Sequence, residues 1–213
     1  CEVRSALSSD EGSVTLSTSL GDLAADRYVV ATGADSLATQ TLAGVTIPQR
    51  STPGIIVVTK PLPRLIQRVI AAPGIHLHQR NDGKLVIGEQ SGAPDNSAHT
   101  MRLRGRPTRF PTETTALAHA ERMLAITRHY LPAAAAAEVD EVLIGWRPLP
   151  IDGHPVIGTP GASPASYLAI MHSGITLAPI VGQLVAQELL TRTPSPHLSN
   201  YRPDRQFSSV QRY

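Results

Sequence analysis

The stretch "SYLAIMHSGITLAPIVGQLVAQELLT", residues 166–191, restricts the fold more than any other part of the chain. "YLAIM" is a short continuous apolar run suited to a buried strand, and His172-Ser173-Gly174 is a tight loop. Leu177, Ile180, Val181, Leu184, Val185 and Leu189 then recur at the spacing of an apolar helical stripe. Strand, glycine loop and helix follow one another without a linker, as they do in mixed α/β folds. Thr176 is expected to cap the helix and Pro179 to fall in its first turn, where no N–H is needed. A helix start of this kind presents unpaired N–H groups and about half a positive charge to whatever lies in front of it. That suits an anion or a developing negative charge, although a glycine loop ahead of a helix is by itself most often structural.

The rest of the chain supplies strands for such a fold. Val14 and Leu16 alternate with polar residues, "SLGD" turns, and "RYVVATGA" gives a short apolar run ending on Gly33, so a hairpin feeding a buried strand is expected. Thr32-Gly33-Ala34 leaves a backbone without bulky side chains, open to a close approach. "GIIVVT", residues 54–59, reads as a strand covered on both faces. In "GIHLHQRNDGKLVIGEQ", Ile75 and Leu77 alternate with His76 and His78, and Asn81-Asp82-Gly83 supplies the reversal. Pairing Arg80 with Lys84 sets His78 opposite Val86 and His76 opposite Gly88. One face of this hairpin is then apolar and the other carries imidazoles. Two His spaced by two are short of the three ligands of an open zinc site, so no metal is expected.

Residues 92–111 read as a long polar excursion, a loop or a lid. A helix is expected over 112–131, capped by Thr112, carrying Leu117, Ala120, Met123, Leu124 and Leu131, and stopped by Pro132. "AAAAAEVDE" is expected to add a short helical piece leading into the strand "VLIGW". The nineteen Lys and Arg are scattered over the chain rather than gathered in a stripe, and the formal net charge is only +2, which disfavours nucleic acid. Cys1 is the single cysteine, so neither an intrachain disulfide nor a multi-cysteine zinc site forms from these residues, and a cytoplasmic setting is the default. No continuous apolar run approaches the roughly 20 residues of a membrane span, and no transmembrane helix is expected. The chain opens with Cys and enters directly what reads as the interior of a domain.

"GWRPLPIDGHPVIG", residues 145–158, is stiffened by its prolines and allowed to turn by its glycines, with Arg147 held just ahead of Pro148. Arg147 has two readings, a planar fork for a ligand carboxylate or an ion pair with Asp152 or Glu141. Asp152, between Ile151 and Gly153, is expected to make an Asx-type turn rather than to act as a base.

Taken together, "RYVVATGA", "NDGKLVIGEQ", "GWRPLPIDGHPVIG" and "MHSGITLAPIVGQLVAQELL" resemble, in order and spacing, the C-terminal portion of the D-amino acid oxidase-like family of FAD-dependent oxidoreductases. That family includes glycine and sarcosine oxidases and the dehydrogenases of D-amino acids and hydroxyproline. The resemblance runs from about residue 14 to about residue 191. It implies an α/β (α+β) fold: the antiparallel sheet of a substrate domain plus a strand-loop-helix of the FAD domain. Residues 1–50 and 148–192 would be parts of the FAD-binding domain, 51–147 the substrate-binding domain and 193–213 a C-terminal tail. Family members carry G-x-G-x-x-G on an N-terminal βαβ unit, where the pyrophosphate rests on a helix N-terminus. No such glycine triplet occurs in these 213 residues. The missing half is therefore expected on an upstream segment or on another subunit.

By the same resemblance, Arg147 grips the substrate carboxylate and His78 lines the substrate site. Thr32, Gly33, Ala34, Gly158, His172, Ser173, Gly174, Ile175 and Thr176 contact the flavin, the last five beside the edge where negative charge gathers on reduction. The implied chemistry is hydride transfer from a C–H next to nitrogen in a small amino or imino acid, giving an imine that water hydrolyses. FAD would be noncovalent, because Cys1 lies outside the matched motifs. Two other classes fit the residues taken alone: a noncatalytic partner subunit, and an α/β module that binds an anion at residues 172–176 without redox chemistry.

Overall fold

The computed structural model describes residues 1–8, 13–89 and 113–210. In chain order these form β1 (Val3–Ser8), β2 (Val14–Thr18), β3 (Gly21–Ala25), β4 (Tyr28–Val30), α1 (Ser36–Ala43), β5 (Gln49–Thr59), β6 (Ile70–Ala72), β7 (Ile75–Gln79) and β8 (Leu85–Glu89). They continue with α2 (Glu113–Tyr130), β9 (Val139–Pro150), β10 (Val156–Gly158), β11 (Ser166–Ile170) and α3 (Gly174–Thr191), and two 3-10 turns lie at Pro132–Ala134 and Pro196–Tyr201. The result is the mixed α/β build with antiparallel sheets that the resemblance implies. The chain divides into two compact units, Cys1–Ser51 with the residues from Arg147 onward, and Thr52–Trp146.

The first unit is discontinuous in sequence. Its β1-β2-β3 meander is antiparallel, and a second sheet has the order β10-β11-β4, with β10 antiparallel and β4 parallel to β11. Alternation along these strands gives the second sheet two covered faces. Val30, Val156, Leu168 and Ile170 pack with Ala43 of α1 and Ile47. Ile157 and Tyr167 pack with Val181 and Val185 of α3 and with Leu198. A helix on each face of a sheet containing a parallel pair is the arrangement that keeps both faces dry.

The other unit is built on the five-stranded sheet β6-β7-β8-β5-β9. The hairpin has the expected register, His76 opposite Gly88 and His78 opposite Val86, closed by the Arg80 N–H to Lys84 carbonyl bond. Ile75, Leu77, Leu85 and Ile87 form the apolar face and bury against Ala120, Met123 and Leu124 of α2. Each such side chain, once covered, contributes about 1.5–3 kcal/mol.

Several expectations are corrected. Ser173, with φ 59°, is the N-cap of α3, so the helix begins at Gly174 and Thr176 lies inside its first turn. Pro179 therefore sits within the helix, beyond the first turn. Ile180 is half exposed although its spacing put it on the apolar stripe, and Leu117 of α2 is likewise 47% exposed. The alanine run forms no α-helix. After Pro132 it makes only a 3-10 turn, and Ala134 and Ala137 are buried in the core, where a small side chain fits and a new helix would have to offset its own nucleation cost. The strand expected as "VLIGW" is longer and runs through Arg147 to Pro150. β1 and α1 were not anticipated. The Thr112 cap and the 92–111 excursion lie outside the described residues. On length and composition alone α3 qualifies as a candidate membrane span, although no continuous apolar run marks it in the sequence. Only Val181, Val185 and Glu188 of this helix are buried, Val181 and Val185 against Ile157 and Tyr167 of the first unit, and most of the helix is open.

Candidate functional site: the carboxyl edge of the parallel strand pair

The parallel pairing of β4 with β11 sets Tyr28 opposite Ser166 and Val30 opposite Leu168, so both strands end at the same edge of the sheet. Each then turns into a helix, β4 through Thr32-Gly33-Ala34 into α1 and β11 through Met171-His172-Ser173 into α3. β10 runs the other way with Val156 opposite Ile170, so the Pro-rich segment that enters β10 reaches the same edge. The crevice outside the carboxyl ends of parallel strands is where open α/β sheets bind ligands. The sequence-expected residues Thr32, Gly33, Ala34, His172, Ser173, Gly174, Ile175 and Thr176 all lie on these two loops or on the helix start that follows.

The β4 loop is held locally. The Thr32 and Thr39 hydroxyls lie 2.6 Å apart, the Asp35 N–H donates to the Thr32 carbonyl at 3.1 Å, and the Asp35 carboxylate caps α1 by accepting from the Ala38 N–H at 2.9 Å. Gly33, at φ 60°, has nothing within 4 Å of the position its side chain would take, so its backbone stands open to an incoming group.

The β11 loop is strained. Ser173 occupies the left-handed region that serine seldom adopts, at a cost of order 1–3 kcal/mol, and its hydroxyl lies 2.9 Å from Nδ1 of His172. The first bond onto the helix is the Leu177 N–H to the Ser173 carbonyl, at 3.0 Å. Gly174, Ile175 and Thr176 are exposed, so their N–H groups form the solvent-facing positive end of α3, with Ile175 94% exposed.

Arg147 is half-buried at the end of the β9 segment shared with this unit. Burial, and next to it the charge of Arg147, lower the His172 pKa below its ordinary value, which keeps that imidazole neutral near pH 7 and sets the guanidinium within electrostatic reach of the β11 loop. Neither of the two carboxylates weighed for Arg147 pairs with it. Asp152 is bound bidentately by Arg205, at 2.8 and 3.1 Å, and Glu141 is an exposed residue whose charge acts on Lys84. Among the described residues no ion pair involves Arg147.

Asp152 makes the Asx turn expected of it, accepting the His154 N–H at 3.1 Å. Burial pushes its pKa up, but the Arg205 hydrogen bonds and the His154 N–H outweigh this, and the net shift is downward. Gly158, expected at the flavin, has another neighbour. A Cβ there would lie 3.0 Å from Nη1 of Arg202 and 3.2 Å from Cδ of Pro203, so the space the glycine leaves is taken by the C-terminal tail. Arg202 and Arg205 are residues that sequence reasoning missed. Their partners lie 14 and 53 positions away, and no local pattern announces such contacts.

His76 and His78 belong to the other unit, on the exposed face of β7. The His76 ring lies across Gly88, where a Cβ would come within 2.4 Å of Nε2. Among the described residues no three His, Cys, Asp or Glu gather as a metal site. A cavity of about 390 Å³ at the far end of α3, lined by Arg27, Tyr167, Glu188 and Arg192 among others, lies apart from the strand-end loops.

Comparison with known proteins bears on this geometry. The family of FAD dependent oxidoreductases designated DAO matches residues 1–188. The bifunctional protein ThiO/ThiG of Synechocystis sp. is 30% identical over 212 residues, which cover 94% of this chain and 28% of that protein. Among solved structures, glycine oxidase from Geobacillus kaustophilus superposes with a TM-score of 0.74 at 24% identity, covering 97% of this chain and 52% of that one. L-proline dehydrogenase from P. horikoshii gives a TM-score of 0.74 at 21% identity, covering 95% of this chain and 52% of the other. The chain thus spans about half the length of these structures and under a third of the curated relative.

Proposed function

The chain belongs to the DAO family of FAD dependent oxidoreductases, and from that premise we propose that it forms the substrate-carboxylate and flavin-ring side of an enzyme that oxidises the CH–NH bond of a small amino or imino acid. The observation that carries the reading is Arg147: a half-buried guanidinium with no ion pair among the described residues, close enough to the β11 loop for its charge to act on His172. Two parallel N–H donors on a planar fork match a carboxylate, and a site shielded from water strengthens the grip.

The residues present fit a flavin. The exposed N–H groups at the start of α3 and the open backbone at Gly33 lie at one sheet edge, and a positive helix end suits the edge of the ring on which negative charge gathers. In this reading Thr32, Gly33, Ala34, His172, Ser173, Gly174, Ile175 and Thr176 hold the cofactor, noncovalently. Bound FAD supplies the two-electron acceptor. Arg147 orients the substrate by its carboxylate, and His172, kept neutral, adds no second positive charge beside it. The Ser173 hydroxyl fixes the imidazole ring. His78 is assigned to the substrate side on family grounds only. The pyrophosphate-binding G-x-G-x-x-G half would come from an upstream segment or a partner subunit, in the cytoplasm.

The test is steady-state kinetics of the flavin-loaded enzyme on a small amino acid and on the matching amine without its carboxylate. Arg147→Ala should lose about 2–5 kcal/mol of transition-state binding on the acid, tens to thousands of fold in kcat/KM, and little on the amine. Arg147→Lys should fall between, because it keeps the charge and loses the fork. A wild type that stays colourless with FAD, or equal losses on both substrates, would overturn the assignment.

A further inference from the structure

Beyond residue 188, where the family match ends, four consecutive residues of the tail each grip a different part of the first unit. Arg202 donates to both oxygens of Glu188 on α3, at 2.8 and 2.6 Å. Pro203 lies against Gly158 of β10. Asp204 accepts the Gly161 N–H, between β10 and β11, at 2.9 Å. Arg205 forks onto Asp152, also donates to the Arg202 carbonyl at 3.0 Å and stacks on Phe207, its guanidinium carbon 4.4 Å from the ring centroid. Further on, the Val210 N–H donates to the Ile151 carbonyl at 2.9 Å, while the Ile151 N–H is held by the Pro48 carbonyl at 3.0 Å.

What these grips hold is the segment that follows Arg147, just past the end of β9. From Pro148 to Pro155 four residues are proline or glycine, and the prolines offer no N–H to a neighbouring strand. Past β9 this segment is fixed by the turn bond from the Gly153 N–H to the Pro150 carbonyl, by the Pro48 carbonyl and by the tail. A disturbance at Asp152 reaches Arg147 through only four intervening residues, two of them rigid prolines. The same clip also grips α3, at Glu188 in its last turn, the end away from the candidate site.

We infer that Arg202–Arg205 is a clip that braces the turn following Arg147, with Arg205 as the positioning residue for the carboxylate-gripping arginine; this rests on the reading of Arg147 proposed above. Arg205 touches neither the substrate nor the cofactor in this scheme. Its contribution is to hold the Asp152 turn, and through it the direction in which the Arg147 fork points.

The test has two arms on the flavin-loaded, full-length protein. Hydrogen–deuterium exchange of the peptide spanning 144–158, independent of turnover, is compared in wild type, Arg205→Ala and Arg205→Lys. Arg205→Ala should speed exchange about 10-fold at Ile151–His154 and also at Arg147, leaving α2 unchanged, with Arg205→Lys intermediate. Faster exchange confined to residues 202–210 would overturn the inference, whether or not the wild type oxidises amino acids. In the kinetic arm Arg205→Ala should raise KM for the amino acid about 10-fold with kcat little changed, and leave the amine without a carboxylate unaffected. Equal losses on both substrates would make the clip a general brace and overturn its role in positioning. A wild type inactive on every amino acid sinks the functional reading and leaves the exchange arm to decide this one. Where Arg205→Ala fails to fold, Asp152→Asn removes the same charge pair from the other side and is expected to give the same pattern.

Discussion

Glu188 is a carboxylate in the last turn of α3, where a helix end disfavours negative charge and burial disfavours it further. It is tolerated because its oxygens accept from Tyr167 at 2.6 Å, from the Ser195 N–H, and from both terminal nitrogens of Arg202. Burial pushes its pKa up, but the Arg202 and Tyr167 hydrogen bonds outweigh that and hold it at about 2, below the ordinary 4.5. A carboxyl depressed in the folded state stabilises the protein above its unfolded pKa, and that stability drains away as pH falls from about 4.5 toward 2. The contribution is of order 3 kcal/mol. The urea midpoint should therefore be lower at pH 3 than at pH 7 in the wild type, and this gap should narrow in Glu188→Gln. At pH 7 that variant should itself be about 3–5 kcal/mol less stable, since Arg202 keeps a half-buried charge without its counterion. A Glu188→Gln protein as pH-sensitive as the wild type would count against this account. The same carboxyl group keeps the tail attached to α3, so acid should loosen the clip as well as the fold.

At the scale of elements, the β7–β8 hairpin was the most legible part of the chain. Its alternation of Ile75 and Leu77 with His76 and His78, and the Asn-Asp-Gly reversal, each state a local rule that the packing then obeys. Gly83 there has φ 86°, and a Cβ would come within 2.6 Å of the Leu62 carbonyl oxygen, a backbone atom that cannot swing aside. Gly83→Ala should cost about 1–3 kcal/mol, read as a lower denaturant midpoint at unchanged slope. A neutral substitution would mean that the turn relaxes. β1 was missed because it lies at the edge of the surface meander with no buried residue, which leaves no alternation to see. α1 was missed because "SLATQTLA" has only a weak apolar face. Its signals were at its ends, Asp35 capping the start and Gly44 in the left-handed conformation closing it. The start of α3 was misplaced by three residues because Thr176 was read as the cap, whereas Ser173, in a left-handed conformation that no local pattern announces, holds that position. The local course of the chain was legible at contiguous residues, in the loops at 32–34 and 172–174 that end β4 and β11. It was illegible where Asp152 and Gly158 depend on a tail some fifty positions away.

For the molecule as a whole, the uncovered surface is informative. Among the described residues β4 has a neighbour on one side only, although parallel strands are rarely left at an open edge, and Val29 on it is half exposed. Ile175, Leu190, Leu20 and Leu37 are each more than two-thirds exposed, at 94%, 84%, 81% and 71%. These 213 residues produced alone should self-associate through that edge and the outer face of α3, visible by light scattering at micromolar concentration. A monodisperse monomer would show that the surface is tolerated in water. The parallel pair also sets an order of assembly during synthesis. β4 leaves the ribosome before β11, its partner across the whole inserted unit, and waits for it. That wait would carry the closure entropy of a very long loop if the intervening chain stayed random. It does not stay random: β5 and β9, which lead into and out of the insertion, are adjacent strands of one sheet. Once the insertion folds, its entry and exit stand side by side, and a gap of about a hundred residues in sequence becomes a few strand spacings in space. The inserted unit thereby acts as an internal folding aid, and a destabilising change within it would slow pairing of β4 with β11 without touching a residue of either strand.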